Sequence, residues 1–332
     1  MMQPFNHTHG GDVTLATKDA AMCPFLRGLL GSLLVVSAAL AASPTDGAIT
    51  HRFIAFGSST RIVEADGTTS WTYPESTRDG QVLQNGNILL ALSKSEKYPG
   101  GAVVEVTPAG TTGGKIVFEF AGTQSEINTV QRLENGNTLV VEAGARPRIL
   151  ELDRRGRIAI ELALRGQTDN HHMQSRMTRK LAQGHYLVPQ LLDRVVRQYT
   201  PKGDIAWEYK TPDEPKDAWP FTAIRLDNGN TLITCTHANM VIEVDAAGAI
   251  VWKVSNADFE KPFLNDPCGA QRLANGNTVI CSYAVGEGGT KLVEVTREKK
   301  VVWTFVESDG PGIHEVQILA TDGVTLPERP MR

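Results

Sequence analysis

QRLENGNTLVVE, residues 131–142, is the stretch that decides the fold, because close copies of it recur along the chain. The NGN turn is also present in QVLQNGNILLAL (81–92), IRLDNGNTLITC (224–235) and QRLANGNTVICS (271–282), and weaker copies are RKLAQGHYLVPQ (179–190) and QILATDGVTLPE (317–328). The turn glycines of these copies are separated by 45 to 50 residues: Gly86, Gly136, Gly184, Gly229, Gly276 and Gly323. A nearly fixed period of this length indicates a repeat architecture.

Each repeat reads as two β-hairpins. Asn-Gly between two apolar runs predicts a tight hairpin, because the turn requires positive φ. A second hairpin follows, as in MVIEVDAAGAIVWKV (240–254), and its runs are rich in valine, isoleucine and aromatic residues. Four short antiparallel strands in about 47 residues match one blade of a β-propeller.

The number and phase of the repeats predict a closed ring. Six fourth strands end at Trp71, Phe118, Ile160, Trp207, Trp252 and Trp303. The first unit begins at a second strand, HRFIAFGSS (51–59), and the last ends just after a first strand, HEVQIL (314–319). We therefore predict an all-β fold, a six-bladed β-propeller over residues 51–325, whose N- and C-terminal strands share one blade. The alternatives are a β-sandwich and an open repeat array, but an open array needs capping repeats, which the sequence does not display.

The N-terminal segment has the pattern of a secretory signal peptide. GLLGSLLVVSAALAA (28–42) follows Arg27 and contains the small-residue site Ala39-Leu40-Ala41. We predict a signal peptide over residues 1–41, a linker over 42–50 and a tail over 326–332, with Met22 as an alternative start. The rival interpretation is an uncleaved anchor, although the apolar run is shorter than the roughly 20 residues that span a bilayer. Cleavage predicts a periplasmic or secreted protein.

Charge and cysteine content restrict the classes of partner. The formal net charge is −4 and the basic residues form no cluster, which disfavours nucleic acid as a partner. The mature chain would contain Cys235, Cys268 and Cys281. Export permits a disulfide, and the alternative is three small buried apolar residues. We expect a monomer, because a closed ring requires no second copy.

The second hairpin resembles the repeats of the pyrroloquinoline-quinone-like (PQQ-like) propeller family. In EVDAAGAIVW (243–252), the matching acidic residue, turn glycine and docking tryptophan are Asp245, Gly248 and Trp252, with a partial match at Gly203 and Trp207. The Leu-x-Asn-Gly-Asn-x-Leu half is similar to repeats of bacterial arylsulfotransferase propellers. The resemblance implies the fold, with the tryptophans packing between blades. It does not imply the quinone, since the chain has no adjacent cysteine pair, and we predict no cofactor and no metal site.

Candidate functional residues lie in the loops that lead into the first strands. These loops are polar and differ from one another, whereas the NGN turns follow one formula, and first strands line the channel of a propeller. We predict a ligand site at this mouth of the channel, formed by Arg78, Asp79, Asn128, His171, His172, Gln174, Arg176, Trp219, Asp266 and His314. The candidate catalytic residues are His172, His314 and Glu315. The alternative is that these groups are polar because the channel holds water.

Two of these assignments depend on local conformation. If the segment is extended, His171 and His172 point to opposite faces and at most one faces the channel. Trp219 is a candidate stacking platform for a sugar or aryl ring, or else a lid. Five glutamates at one third-strand position are interpreted as scaffold, with Gln198 in the remaining blade: Glu64, Glu105, Glu151, Glu243 and Glu294.

Two functions are compatible with this sequence. The first is an exported protein that binds a small molecule or carbohydrate, or a protein partner, at the channel mouth. It is favoured by the lack of a nucleophile elbow, an HExxH motif or a phosphate-binding loop. The second is a propeller enzyme, either an arylsulfotransferase-like group transferase or a lyase or hydrolase, that uses channel histidines and arginines.

Overall fold

The computed structural model describes residues 48–166, 168–307, 310 and 312–327. The predicted signal peptide and most of the predicted linker and tail lie outside these ranges. The described residues form six antiparallel sheets, which are the six predicted blades. None of the helical turns in this part of the chain has the length and hydrophobicity of a membrane-spanning helix.

The strands run in sequence order from the channel outward in blades 2 to 6. Blades 2 and 3 consist of β4 (Thr77–Val82), β5 (Ile88–Leu92), β6 (Ala102–Pro108), β7 (Gly114–Ala121), β8 (Glu126–Arg132), β9 (Thr138–Ala143), β10 (Arg148–Leu152) and β11 (Ile158–Ala163). Blades 4 and 5 consist of β12 (Arg179–Lys180), β13 (Tyr186–Gln190), β14 (Val195–Tyr199), β15 (Ile205–Lys210), β16 (Ala218–Arg225), β17 (Thr231–His237), β18 (Met240–Val244) and β19 (Ile250–Ser255). Blade 6 consists of β20 (Pro267–Arg272), β21 (Thr278–Ser282), β22 (Thr290–Val295) and β23 (Val301–Val306). Two 3₁₀ turns occupy His171–Met173 and Asn256–Asp258.

Blade 1 closes the ring in the way that the repeat phase predicts. It contains β1 (His51–Phe56), β2 (Thr60–Val63) and β3 (Thr69–Tyr73), and its inner strand is the C-terminal β24 (Glu315–Thr321). Strands β1 and β24 pair antiparallel, with Ile54 opposite Gln317. A short β25 (Val324–Thr325) extends this sheet to five strands. The prediction of a shared N- and C-terminal blade is therefore confirmed.

The NGN sequences form the turns of the inner hairpins. In blade 3 the N–H of Leu133 donates to the carbonyl of Asn137, and the N–H of Gly136 donates to the carbonyl of Leu133. Gly136 has φ of +83°, a conformation that glycine adopts without steric cost. The core lies between the faces of neighbouring blades. Between blades 1 and 2, for example, buried Ile54 and Phe56 pack with Leu90.

The repeated glutamates connect neighbouring blades. Glu105 of blade 2 accepts a hydrogen bond of 2.6 Å from Arg132 of blade 3, and Glu243 of blade 5 accepts one of 3.0 Å from Arg272 of blade 6. Glu151 with Lys180 and Gln198 with Arg225 are equivalent pairs, whereas Glu294 binds His51 of the second strand of blade 1. Glu64 instead pairs within blade 1, with Arg52. These contacts agree with the interpretation of the glutamates as scaffold.

A second set of contacts surrounds the channel. The side-chain oxygen of a first-strand glutamine accepts a backbone N–H from the next blade in four pairs: Gln81 with Arg132, Gln131 with Lys180, Gln271 with Ile318, and Gln317 with Val82. Arg179 and Ile224 occupy the equivalent positions in blades 4 and 5. Outer tryptophans also dock on the following blade, as where Trp252 Nε1 donates to the carbonyl of Arg297 at 2.8 Å.

Candidate functional site

A bulge near the start of the first strand sets the geometry of the candidate site. The pairing register shifts at Arg78 in β4, at Asn128 in β8, at Phe221 and Thr222 in β16, and at Cys268 and Gly269 in β20. Bulges redirect side chains beside functional sites in many β-proteins. The residues five positions before the turn leucine of each repeat are here named the mouth ring: Arg78, Asn128, Arg176, Phe221, Cys268 and His314.

Side chains of the mouth ring meet across the channel. The guanidinium of Arg176 lies over the ring of Phe221, with 5.8 Å between the guanidinium carbon and the ring centroid. The ring of Phe221 is nearly parallel to that of His314, at a centroid distance of 6.1 Å. The ring of His314 also stacks on the ring of Tyr283, with 4.2 Å between the two centroids. The ring position therefore faces the axis in blades 1, 4 and 5.

Glu126 joins two of the predicted residues. Its carboxylate contacts Nδ1 of His172 at 3.1 Å and Nη2 of Arg78 at 3.2 Å. Burial by itself would raise the pKa of Glu126, but the hydrogen bond from His172 and the charges of Arg176 and Arg78 hold that pKa at about 2. The carboxylate is thus ionised at neutral pH.

Arg176 is a buried cation that has no ion pair with any described residue. Its side chain is 2% exposed, and its one hydrogen bond in this part of the chain goes to the carbonyl of Ser175 at 2.8 Å. Burial and the nearby charge of Arg78 lower the pKa of Arg176 to about 10, against an opposing effect of Glu126. The guanidinium is therefore protonated at neutral pH and lacks a carboxylate partner.

His314 is held as a neutral imidazole. Burial, together with the charges of Arg78, Arg176 and His172, lowers its pKa to about 3. Its Nδ1 atom is buried and has no hydrogen-bond partner in the described structure. The common influence of Arg78, Arg176 and His172 on His314 indicates that these four predicted residues share one mouth of the channel.

The channel is crossed immediately below the mouth ring. Arg179 of blade 4 forms hydrogen bonds of 2.8 and 3.0 Å with the carboxylate of Asp79 in blade 2, and its Nη2 lies 3.6 Å from Glu315 of blade 1. All three side chains are buried. Asp79 also accepts the backbone N–H groups of Gly80 and Val130. This group forms the floor of the mouth.

A rim of aromatic and strained residues lies over blades 5 and 6. Trp219 packs against His237 with 4.2 Å between ring centroids, and Nε2 of His237 is 3.8 Å from Asp266. Positive φ values occur at Asp217, His237, Asn239 and Asp266. The N–H of His237 donates to Asp266, and the N–H of Asp266 donates to Asn239. Strain of this kind is concentrated at ligand-binding sites in many proteins.

The two sides of the mouth differ in polarity. Blades 2 to 4 contribute the charged groups Arg78, Glu126 and Arg176, together with the imidazole of His172. An apolar cluster lies beside Arg176, toward blades 5 and 6, and contains Met173, Met177, Leu191, Trp219, Phe221 and Cys268. The mouth therefore combines an apolar wall with a net positive polar wall.

The structure brings some of the predicted residues together and assigns others to the scaffold. Arg78, His172, Arg176 and His314 lie at the mouth, with Trp219 and Asp266 at its rim, and the repeat register assigns Asn128 to the same ring. Asp79 and Glu315 belong to the buried floor. Gln174 is occupied by hydrogen bonds to both backbone groups of Gly144 and to the carbonyl of Thr168.

The segment at His171 and His172 is not extended, because these residues form a 3₁₀ turn. Their rings therefore do not alternate between two faces. Nδ1 of His171 contacts Ser125 at 2.6 Å, and Nδ1 of His172 contacts Glu126. Both histidines thus approach blade 3.

Sequence reasoning did not identify Glu126, Phe221, Tyr283 or His237 as members of the site. Phe221 was detectable, because it occupies the same repeat position as Arg78, Asn128 and Arg176. The contacts of Tyr283 and His237 depend on the connections between second and third strands, which differ in length and sequence from repeat to repeat, so no periodic signal marked them.

The cysteines and possible metal ligands are compared with the predictions within the described residues alone. Cys235, Cys268 and Cys281 are buried and form no disulfide with one another. Burial raises the pKa of Cys235 to about 12 and raises that of Cys268 well above its ordinary value. Within the same residues no group of three or more His, Cys, Asp or Glu side chains has a metal-binding arrangement.

A cavity of about 1030 Å³ opens at the opposite end, between the turns of the inner hairpins of blades 3 to 6. Its basic residues Arg132, Lys180 and Arg272 are each paired with a glutamate of the preceding blade. Arg225, the fourth, binds Gln198. Because these cations already have partners, we place the candidate site at the other mouth, despite the size of this cavity.

Comparisons with solved structures show the fold. A protein of unknown function from Bacteroides caccae is 25% identical, with a TM-score of 0.69 over 80% of this chain and 98% of that chain. A catalytically inactive histidine-to-alanine variant of virginiamycin B lyase from Staphylococcus aureus, solved with quinupristin, is 15% identical, with a TM-score of 0.52 over 70% of this chain and 71% of that chain. The WD40 β-propeller domain of Doa1 is 12% identical, with a TM-score of 0.52 over 79% and 80% of the two chains.

No protein-family model matches the chain, and no curated protein matches its sequence. The chain is a β-propeller by its own architecture and by these likenesses. The resemblance to PQQ-like repeats remains a prediction.

Proposed function

We propose that this propeller binds a small organic anion at the mouth formed by the mouth ring, with the anionic group on Arg176 and Arg78 and the body of the ligand on the apolar wall. The proposal retains the small-molecule site that the sequence predicts and specifies its charge. Arginine suits this role, because its planar fork of N–H donors matches a carboxylate or phosphate.

The observation that carries the proposal is the contrast between Arg176 and Arg179. Both side chains are buried and lie three residues apart on the same blade. Arg179 has Asp79 as a two-point partner, and although burial opposes the charge, Asp79 raises the pKa of Arg179. Arg176 has no such partner, and its pKa is lowered. A buried unpaired charge is costly, so a site that retains one is expected to gain from an anionic ligand.

The apolar wall supports a ligand with a ring. Phe221 and Tyr283 flank His314 with nearly parallel rings, and Trp219 stands at the rim. Aromatic side chains that line a concave site beside a few polar groups are typical of small-molecule pockets. An aryl group or a sugar ring fits this surface, since both present a flat apolar face.

Calorimetry and thermal unfolding with benzoate, acetate and the neutral benzamide test the proposal on the chain from residue 42 onward. We expect benzoate to bind and to raise the melting temperature most, because it satisfies both walls. Arg176→Met should abolish the effect, whereas Arg157→Met, an exposed arginine in blade 3, should preserve it. Equal effects of benzamide and benzoate, or retention of benzoate binding by Arg176→Met, would disprove the anion site.

A second candidate is a propeller enzyme in which His172 acts as a general base. Its Nδ1 contacts Glu126 while its side chain remains 52% exposed. A carboxylate on Nδ1 orients the ring and leaves Nε2 to accept a proton, which is an arrangement used in acid–base catalysis. His314 is less suited, since a pKa of about 3 makes it a weak base at neutral pH.

Incubation with quinupristin, followed by mass spectrometry and chromatography, is a direct test of this second function, because a similar fold in Staphylococcus aureus is a virginiamycin B lyase crystallised with that compound. Conversion by the wild type that is lost in His172→Asn would support the enzyme. Conversion that persists in His172→Asn would exclude His172 as the base, and an unchanged compound would exclude this substrate.

We also propose that the protein is exported, on the basis of the apolar segment 28–42 and the site Ala39-Leu40-Ala41. Expression of the full chain, cell fractionation and N-terminal sequencing test this directly. A mature N-terminus at residue 42 in the extracytoplasmic fraction is expected. An intact N-terminal segment in the cytoplasm would contradict it.

A further inference from the structure

We infer that the ligand carries a hydroxyl group on or beside its anionic group, and that Asn128 recognises this hydroxyl. The inference rests on the proposed anion site and narrows its ligand to hydroxyl-bearing anions, such as α-hydroxy acids and hydrogen phosphates. It excludes sulfate and simple carboxylates as the preferred ligands.

Asn128 occupies the mouth-ring position of blade 3. In ring order it stands between Arg78 of blade 2 and Arg176 of blade 4. The bulge in β8 falls at Asn128 just as the bulge in β4 falls at Arg78. Because the ring position faces the axis in blades 1, 4 and 5, the shared register places Asn128 beside the two arginines.

The amide of Asn128 is fully buried and unsatisfied at both ends. The residue is 0% exposed, and neither Nδ2 nor Oδ1 has a hydrogen-bond partner among the described residues. Buried amides are nearly always hydrogen-bonded in folded proteins, so this one is expected to be completed by a bound molecule.

The unsatisfied donor and the unsatisfied acceptor of Asn128 together define the chemistry of that molecule. The Nδ2 group donates and the Oδ1 atom accepts, so the ligand must offer an acceptor and a donor side by side. A sulfate or a simple carboxylate offers acceptors alone, and its negative charge would lie against Oδ1. A hydroxyl next to a carboxylate, or the P–OH of a hydrogen phosphate, donates to Oδ1 while oxygen atoms accept from Nδ2 and the arginines.

The same strand provides a matched control. Gln131, three residues along β8, is also a buried amide, 2% exposed, but its Oε1 accepts the N–H of Lys180 at 2.8 Å. Replacement of an unsatisfied buried amide with an apolar group of similar size removes a desolvation penalty, whereas replacement of a satisfied one removes a hydrogen bond. The two substitutions should therefore have opposite effects on the stability of the ligand-free protein.

The first measurement compares mandelate with phenylacetate, which differ by the α-hydroxyl, and phosphate with sulfate, by isothermal titration calorimetry. We expect mandelate to bind at least about tenfold more tightly than phenylacetate to wild type, and to lose this preference in Asn128→Leu. The phosphate and sulfate pair shows whether the hydroxyl is recognised on carbon or on phosphorus. Equal binding within both pairs would overturn the inference and leave the anion site intact.

The second measurement needs no ligand. Without added anion, Asn128→Leu should raise the melting temperature by about 2–4 °C, and Gln131→Leu should lower it. If Asn128→Leu lowers it as Gln131→Leu does, the amide is satisfied in the protein and the inference is wrong. If no anion binds to wild type at all, the proposed function fails together with the inference.

Discussion

Arg179 of blade 4 reaches across the channel and forms a two-point ion pair with Asp79 of blade 2, at 2.8 and 3.0 Å. Glu315 of blade 1 lies 3.6 Å from the same guanidinium. One cation thus joins three blades, including the blade that closes the ring. Arg179 occupies the repeat position at which blades 1, 2, 3 and 6 have a glutamine that is hydrogen-bonded to the next blade. In blade 4 a contact across the channel therefore replaces the contact with the adjacent blade.

Removal of Arg179 should therefore destabilise the whole propeller. Arg179→Met leaves the buried carboxylate of Asp79 without its two-point partner, and breaking a buried pair in this way typically costs about 3–5 kcal/mol. Urea unfolding followed by tryptophan fluorescence measures the loss. Arg157→Met removes an exposed arginine paired with Asp153 and should leave the midpoint unchanged within error. Equal midpoints for the two variants would show that the crossing contact does not stabilise the ring.

The neutral state of His314 predicts a pH dependence of stability. Burial, with the charges of Arg78 and Arg176, lowers its pKa from 6.5 to about 3. Between these values the unfolded chain binds a proton that the folded protein does not, so the free energy of unfolding falls as the pH falls. One such proton contributes a slope of at most about 1.4 kcal/mol per pH unit.

The test compares wild type with His314→Phe, which retains a ring between Tyr283 and Phe221. The slope between pH 5 and 6.5 should be shallower in the variant, and this window lies above 4.5, the ordinary pKa of a glutamate such as Glu126. Urea unfolding at several pH values measures the slope. A variant slope equal to that of wild type would mean that His314 is protonated as readily in the folded protein as in the unfolded chain.

The blade that has glutamine in place of the repeated glutamate offers a stabilising substitution. Arg225 binds the neutral Gln198 at 3.0 Å, and burial lowers the pKa of Arg225. Gln198→Glu should convert this contact to a charge-assisted one and add about 1 kcal/mol. The opposite change, Glu243→Gln, should cost about 1–3 kcal/mol, because Arg272 and Arg297 both bind that carboxylate. Chemical denaturation of both variants gives the values, and a destabilised Gln198→Glu would contradict the argument.

The repeat was sufficient to predict the fold, because each blade repeats the same hairpin and the register of one determines the others. The Asn-Gly turns located the inner hairpins, and the phase difference between the two ends predicted the pairing of β1 with β24. The scaffold role of Glu105 and Glu243 followed in the same way, since a residue that recurs in five of the six blades belongs to the common scaffold.

The site was less predictable, because it is formed where the repeats differ. The lead-in loops pointed to Arg78, His172 and Arg176. A loop sequence does not show, however, which polar groups form hydrogen bonds within the protein and are therefore not available to a ligand. Gln174 and Asp79 are such groups, because their hydrogen bonds to the protein exist only in the assembled ring. An alignment of the repeats would have shown that Arg179 and Phe221 differ from the residues at the same position in other blades. At each of these positions the repeat already indicates which neighbouring blade the side chain meets.

Gly269 permits the junction between blades 6 and 1, and its replacement tests whether close backbone approach there is required. A Cβ atom at this position would lie 2.5 Å from Oε1 of Glu315 and 2.8 Å from the backbone carbonyl of His314. The N–H of Gly269 already donates to that carbonyl at 2.7 Å. Because the obstructing atoms include backbone, the side chain of Glu315 alone cannot relieve the clash.

Gly269→Ala should therefore cost about 1–3 kcal/mol and weaken the binding of benzoate, since the backbone at His314, just before β24, must move. Gly57→Ala is the matched control: it adds a methyl group beside the same histidine, with no contact closer than 3.5 Å. That variant should unfold within about 0.5 kcal/mol of wild type. If both variants unfold like wild type and bind benzoate equally, blade 6 can shift freely against blade 1, and the position of His314 does not depend on this junction.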